Sequence, residues 1–171
     1  PRLANYHLKW TLTEAEARQL ANWDLVILDM EIQYRQADLL KKIRQWNPKV
    51  ILLVYITPQE IIKDAATSYS EMRRRLARRI QPEWYLTDVA GNRLTWWPGT
   101  YLLNVTNEAS MSNGERFNRN LVDFVIGDLL GSGLWDGVFY DNAWDNITYF
   151  AGQNVDTNRD GQVDQNADEA W

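Results

Sequence analysis

Two short apolar runs set the tightest limit on the fold. Asp24-Leu25-Val26-Ile27-Leu28-Asp29 and Lys49-Val50-Ile51-Leu52-Leu53-Val54-Tyr55-Ile56 are continuously apolar rather than alternating, and the second is enclosed by Pro48 and Pro58. A strand apolar at every position needs cover on both faces, and parallel sheets obtain that cover from the helices that connect their strands. Between the runs, residues 36–46 fit a helix stopped at Asn47-Pro48, because the residue before a proline is pushed out of the helical region. The stretch reads as β-α-β with a right-handed crossover.

The reading extends both ways. Residues 5–10 alternate as a first strand, and Thr11-Leu12-Thr13-Glu14 has the spacing of a capping box, with Thr11 as N-cap of a helix running to about Asn22,. After Ile56 the regular alternation breaks. Residues 57–113 read as an insertion with a basic helix near 69–80, a hairpin turn at Asp88-Val89-Ala90-Gly91-Asn92-Arg93, and a short strand at Tyr101-Leu102-Leu103-Asn104-Val105-Thr106. Insertions of this length sit on the loop face and shape ligand clefts. Ser112-Asn113-Gly114-Glu115 offers a second capping box, for a helix that carries Phe117, Leu121, Phe124, Val125 and Leu129 on one face and ends at Gly131-Ser132-Gly133,. A last strand, Leu134-Trp135-Asp136-Gly137-Val138-Phe139-Tyr140-Asp141-Asn142, should bury Val138, Phe139 and Tyr140 and end in a carboxylate.

These elements predict an α/β chain with a parallel sheet, built as the first half of a TIM-like (β/α)8 barrel: about four β/α units over residues 1–171, with a loop insertion at about 57–113. A flavodoxin-like domain is the alternative, but no Gly-rich phosphate loop follows the first strand. Half a barrel leaves strand edges and apolar faces open. The rest is expected from a longer parent chain, in keeping with a sequence that begins at Pro1, or from another copy.

Composition narrows the chemistry. At 171 residues, 45% of them hydrophobic, the chain can bury a sizeable core,. It has no cysteine, which excludes thiol catalysis and thiolate metal sites,. The net charge is −5, and the Arg73-Arg74-Arg75 and Arg78-Arg79 run has no aromatic or Gly-rich motif beside it, so it reads as a solvated helix face and nucleic acid is not an expected partner. No apolar run approaches the ~20 residues of a membrane span. The nine Trp and eight Tyr are the outlier. Large aromatics stack on sugar rings but also fill cores, and Trp96-Trp97 and Trp144 fit either use.

Strand ends on the carboxyl side of such a sheet open into the ligand cleft. Asp141 is therefore the leading catalytic candidate, although an aspartate after a strand can also cap a turn. Asp29 and Glu31 end the second strand and are the other candidate catalytic acids at that face. Tyr6, His7, Lys9, Tyr55 and Asn104 fall at strand ends by the same logic, and Trp97, Asn142 and Trp144 complete the expected substrate-binding set. His7 is the only histidine, so neither a zinc site nor a Ser-His-Asp triad is expected around it. Asn104 and Asn146 open Asn-x-Thr sequons,.

Near the end, Asp156-Thr157-Asn158-Arg159-Asp160-Gly161-Gln162-Val163-Asp164 matches D-x-N-x-D-G-x-x-D, the spacing of a calcium loop,. Side chains of Asp156, Asn158, Asp160 and Asp164 and the Gln162 carbonyl are the expected ligands of a structural Ca2+ in a loop spanning 156–168. Position twelve is Ala167 instead of a bidentate Glu, so Asp168 or Glu169 must reach in from one step beyond. A solvated acidic turn is the competing reading.

Taken together, the strand from Asp24 to Glu31, the Tyr101-Leu102-Leu103-Asn104-Val105-Thr106-Asn107 stretch, the segment from Trp135 to Asn142 and the calcium-like loop resemble the hypothetical glycosyl-hydrolase (β/α)8 barrels. That group is akin to the polygalactosaminidase-like and α-glycosidase barrels. The resemblance covers nearly the whole chain but only the first half of such a barrel. It implies an extracellular or cell-surface glycoside hydrolase acting on a polysaccharide or exopolysaccharide, with the carboxylate that ends the fourth strand, Asp141, as nucleophile and the acid/base on a later strand. A non-catalytic, calcium-stabilised carbohydrate-binding or structural domain stays open, since fold does not fix function.

Overall fold

The computed structural model describes residues 2–171, which form two compact units. In chain order the elements are β1 (Ala4–His7), α1 (Glu14–Leu20), β2 (Leu25–Asp29), α2 (Glu31–Trp46), β3 (Ile51–Ile56), β4 (Glu60–Ile62), α3 (Glu71–Arg79) and β5 (Thr87–Asp88). They continue with β6 (Thr100–Leu102), α4 (Phe117–Phe124), β7 (Gly137–Tyr140), α5 (Ile147–Ala151), β8 (Val155–Asp156) and α6 (Ala167–Ala170).

Among the described residues the first unit takes 2–56, 70–72 and 123–141. Its centre is a four-stranded parallel sheet in the order β1-β2-β3-β7, as the two apolar runs require. Parallel partners in register share a face, so Tyr6, Ile27, Leu53 and Gly137 point one way, as do Asp29, Tyr55 and Phe139. On the opposite face Val26, Leu28, Leu52, Val54 and Ile56 are completely or almost completely buried, and the crossover helices α1 and α2 bury Ala17, Leu20, Ile32, Leu40 and Ile43. Packing is close at Gly137: a Cβ there would meet Leu53 Cδ2 at 3.1 Å, so a larger residue would push the Leu53 side chain aside.

Several local expectations shift. The capping box sits at Thr13 and Glu16 instead of Thr11 and Glu14. The reason is Gln36, whose side chain bonds both the N–H and the carbonyl of Leu12 and so holds Leu12 outside the helix. Gln36 itself leaves helical geometry (φ −144°, ψ 40°), kinking α2, which starts at Glu31 and not at residue 36. Tyr140, expected to be buried, is 42% exposed because β7 is an edge strand of the sheet.

The second unit takes residues 57–69, 73–122 and 142–171. It therefore holds most of the expected insertion and adds the end of the chain. β4 pairs antiparallel with β6, and β5 with β8. The strand expected over 101–106 is thus outside the parallel sheet, and it stops early because the Asn104 side chain accepts from Thr106 N–H and Oγ1, bending the backbone away from a ladder,. The turn at Asp88 is a hairpin, closed by Asp88 and Asn92. The segment from Ser112 to Glu115 is no capping box. Asn113 and Gly114 both adopt positive φ (53° and 82°) and the flanking residues exchange backbone hydrogen bonds, the geometry Asn-Gly favours in tight hairpins,. Leu86, Leu102, Ile147, Val155 and Ala167 form the unit's buried cluster.

Glu31 fixes the first unit from inside. It is fully buried, and its carboxylate accepts from Ser70 Oγ (2.6 Å), Glu71 N (3.0 Å), Met72 N (3.1 Å) and Arg35 Nε (3.0 Å). It thereby satisfies amides of the first turn of α3, where a helix attracts negative charge. Replacing Glu31 with alanine strands those donors, so chemical denaturation should show a loss of about 3 kcal/mol; a loss below about 1 kcal/mol would deny Glu31 this role.

Candidate functional site

The parallel register gathers an acid and three aromatic rings at one end of the sheet. Asp141 continues the β3–β7 ladder, its N–H donating to the Ile56 carbonyl at 3.0 Å. The chain then turns sharply at Asn142, which takes the left-handed conformation (φ 57°) that asparagine tolerates better than most residues,. Tyr6 from β1 and Tyr55 from β3 both donate their phenol O–H groups to Asp141 Oδ2, at 3.1 and 2.7 Å. Phe139 completes the wall. It stacks with Tyr55 (centroids 6.3 Å apart, 17° between planes) and meets Tyr6 edge-on at 5.5 Å.

Both phenols stay protonated well past neutrality. Burial raises the Tyr55 value most, and the hydrogen bond to Asp141 and its negative charge raise it further. Tyr6 moves the same way for the same reasons, burial first. A protonated phenol can only donate to a carboxylate, so the pair orients Asp141 from one side. Tyr6 is half-exposed, which leaves this end of the sheet open to solvent.

The other expected residues divide by burial. Asp29 is buried, and its Oδ1 accepts from Glu31 N–H at 2.9 Å. Glu31, expected to end the second strand with Asp29, instead opens α2, and with its carboxylate held by the start of α3 both acids lie in the interior, not along an open mouth. His7 is one position out of phase with Tyr6, so it faces the opposite side of the sheet; its Nε2 is buried with no hydrogen-bond partner among the described residues. Lys9 is exposed and pairs with Glu16 of α1 at 2.5 Å. Asn142, expected as a donor to Asp141, gives its amide to Glu60 Oε1 at 3.3 Å.

In the second unit Asn104 is buried and ties its amide to the Thr157 carbonyl at 2.7 Å, a structural position that also hides its sequon. Trp97 and Trp144 are about half exposed. Glu60, which the sequence reading passed over, is a buried carboxylate held by Asn142 and by Thr100 Oγ1 at 3.3 Å. Its place just after the carboxyl end of β3 is the signal that could have found it.

The loop at 156–164 turns at Gly161 (φ 81°), as its spacing requires. Asp156 accepts from the N–H groups of Asp160 and Gly161, Asn158 from that of Asp160, and Asp160 from that of Gln162. Asp164 Oδ2 is taken by the Thr157 N–H and hydroxyl. Asp168 turns to Thr148 at the start of α5, accepting from its N–H (2.8 Å) and Oγ1 (2.6 Å). Among the described residues no three acidic or histidine side chains converge as a metal cage. Any cation here would draw on Asp156, Asp160, the Asn158 amide oxygen and the Gln162 carbonyl.

A family model described as hypothetical glycosyl hydrolase family 15 matches residues 44–170. No curated protein matches the chain. No helix among the described residues is long and apolar enough to cross a membrane.

The placement of His7 predicts a pH dependence. Burial lowers its value from 6.5, more than the negative charge of Glu16 raises it. The unfolded chain therefore takes up the proton first, and stability is lost as the pH falls below about 6.5,. Melting temperatures measured between pH 5 and 8 should fall on the acid side, and His7→Gln should flatten that limb; an unchanged limb would contradict the placement.

Proposed function

The chain belongs to hypothetical glycosyl hydrolase family 15, and from that premise we propose that it carries the carboxylate half of a glycoside hydrolase site for a polysaccharide or exopolysaccharide. The observation that carries the proposal is the double phenol bond to Asp141 at the carboxyl end of the parallel sheet. Asp141 attacks the anomeric carbon while the departing glycosidic oxygen takes a proton from a second carboxyl group; that group then removes a proton from the water that releases the sugar. Tyr6 and Tyr55 position Asp141, and Phe139 supports their rings. The second carboxyl group belongs to the strands that complete a (β/α)8 barrel, contributed by a longer parent chain or a second copy. The half-exposed Tyr6 and Ile51 on the inward face of the sheet support that completion, because such a face is covered in a closed barrel,. Trp97 and Trp144 serve as sugar-stacking residues of the second unit, and the enzyme acts outside the cell or at its surface.

Asp141→Asn in the complete protein should abolish turnover across a polysaccharide panel with the circular dichroism spectrum unchanged, because the swap is nearly isosteric and removes only the charge and the nucleophile. Retained turnover with a stability loss of about 0.5–2 kcal/mol would instead mark Asp141 as a turn residue and favour a non-catalytic carbohydrate-binding domain.

We also propose a structural Ca2+ in the 156–164 loop, held by Asp156, Asn158, Asp160 and the Gln162 carbonyl. The sharp turn and the D-x-N-x-D-G spacing support it; Asp164 and Asp168 are bound to Thr157 and Thr148, which leaves fewer carboxylates than a full calcium loop and implies weak affinity. Millimolar calcium should raise the melting temperature, and Asp156→Asn should remove the rise. No rise in the unaltered protein would exclude the site.

A further inference from the structure

The second unit exposes aromatic surface that its own core does not use. Tyr149 is 78% exposed, Trp97 51% and Trp144 49%. They are joined through Trp96 and Phe150: Trp96 stacks on Trp97 (5.5 Å, 22°) and packs on Phe150 at 4.1 Å, while Trp144 and Tyr149 meet Phe150 at 5.3 and 4.9 Å. An exposed patch of this kind costs solubility and marks a binding surface.

The rings stand on backbone that is fixed from beneath. The buried Gln59 amide accepts from Trp144 N–H at 3.4 Å and donates to the Trp144 carbonyl at 3.0 Å, holding both backbone groups of that residue. Tyr149 and Phe150 sit on α5, anchored by buried Ile147 and by the two bonds from Thr148 to Asp168. Little freedom is left to lose on binding, which is what a preformed site needs.

The lining selects the ligand. A cleft of about 360 Å3 is bounded by Trp144, Asn146, Tyr149 and Phe150. It contains no charged side chain, so it offers nothing to an acidic sugar, and no aliphatic side chain of the kind that fills protein–protein cores. Flat rings match the C–H faces of pyranoses, and the Asn146 amide can donate to and accept from hydroxyls. We propose that Trp144, Tyr149 and Phe150, extended by Trp97, form a binding platform for a neutral polysaccharide chain, a reading that rests on the glycoside hydrolase assignment and names its substrate class.

Affinity electrophoresis in native gels containing hydroxyethylcellulose, xyloglucan, soluble starch, galactomannan or polygalacturonate tests it. At least one neutral glycan should retard the protein and polygalacturonate should not. Tyr149→Ala and Trp144→Ala should each weaken that retardation roughly tenfold, the scale of one lost stacking contact. Tyr149 is so exposed that its removal leaves the fold intact, which a melting curve verifies. Absence of retardation by every neutral glycan, or unchanged retardation in the Tyr149→Ala/Trp144→Ala double variant, would overturn the proposal. The Asp141→Asn variant run in the same gels separates this outcome from the catalytic one, because binding should persist there whether or not turnover is lost.

Discussion

The feature on which the rest depends is the hydrogen-bonded register between parallel strands. Because Leu53 pairs with Gly137 and Tyr55 with Phe139, Asp141 falls one step beyond the last pair, on the same face as Tyr55. Because Tyr6 pairs with Ile27 and Ile27 with Leu53, Tyr6 shares that face, and its phenol reaches Asp141 from there. A slip of one residue in any of these pairings would turn every side chain to the opposite face. The apolar residues buried on the far side, from Val26 to Ile56, make that slip costly, so the core that stabilises the sheet also sets the geometry around Asp141.

The acids of the first unit divide into two kinds by the same packing. Glu31 and Asp29 are inside and spend their oxygens on backbone amides and on Ser70 and Arg35. Asp141 sits where the sheet opens and is approached by two phenols whose own protons are held tightly. Burial of a carboxylate is tolerated only with a full set of donors, and Glu31 has one. The three acids differ in solvent access, although Asp29 and Asp141 both stand at strand ends and Glu31 follows two residues after Asp29.

Much of this architecture was legible because it rests on periodicity. The two unbroken apolar runs predicted parallel strands, and strand-end logic put Asp141 beside Tyr6 and Tyr55. What was not legible rests on side chains that meet across long stretches of sequence. Nothing near Glu31 announces Ser70 and Met72 as its partners, and nothing near Thr11 announces that Gln36 will displace the cap to Thr13. Strand-end logic also fails for His7, since alternation sends neighbours to opposite faces. The Asn113-Gly114 hairpin is hidden for a different reason: a serine and a glutamate three apart satisfy a capping pattern, but two left-handed residues between them cannot begin a helix.

The proposed function turns on one atom pair, the carboxylate oxygens of Asp141. The direct measurement is trapping: the complete protein is incubated with a fluorinated, activated glycoside, then digested and read by peptide mass spectrometry. The account predicts one covalent sugar, on the peptide that contains Asp141 and on Asp141 itself. A label on any other carboxylate, or turnover of the same glycoside with no covalent adduct at all, would contradict it.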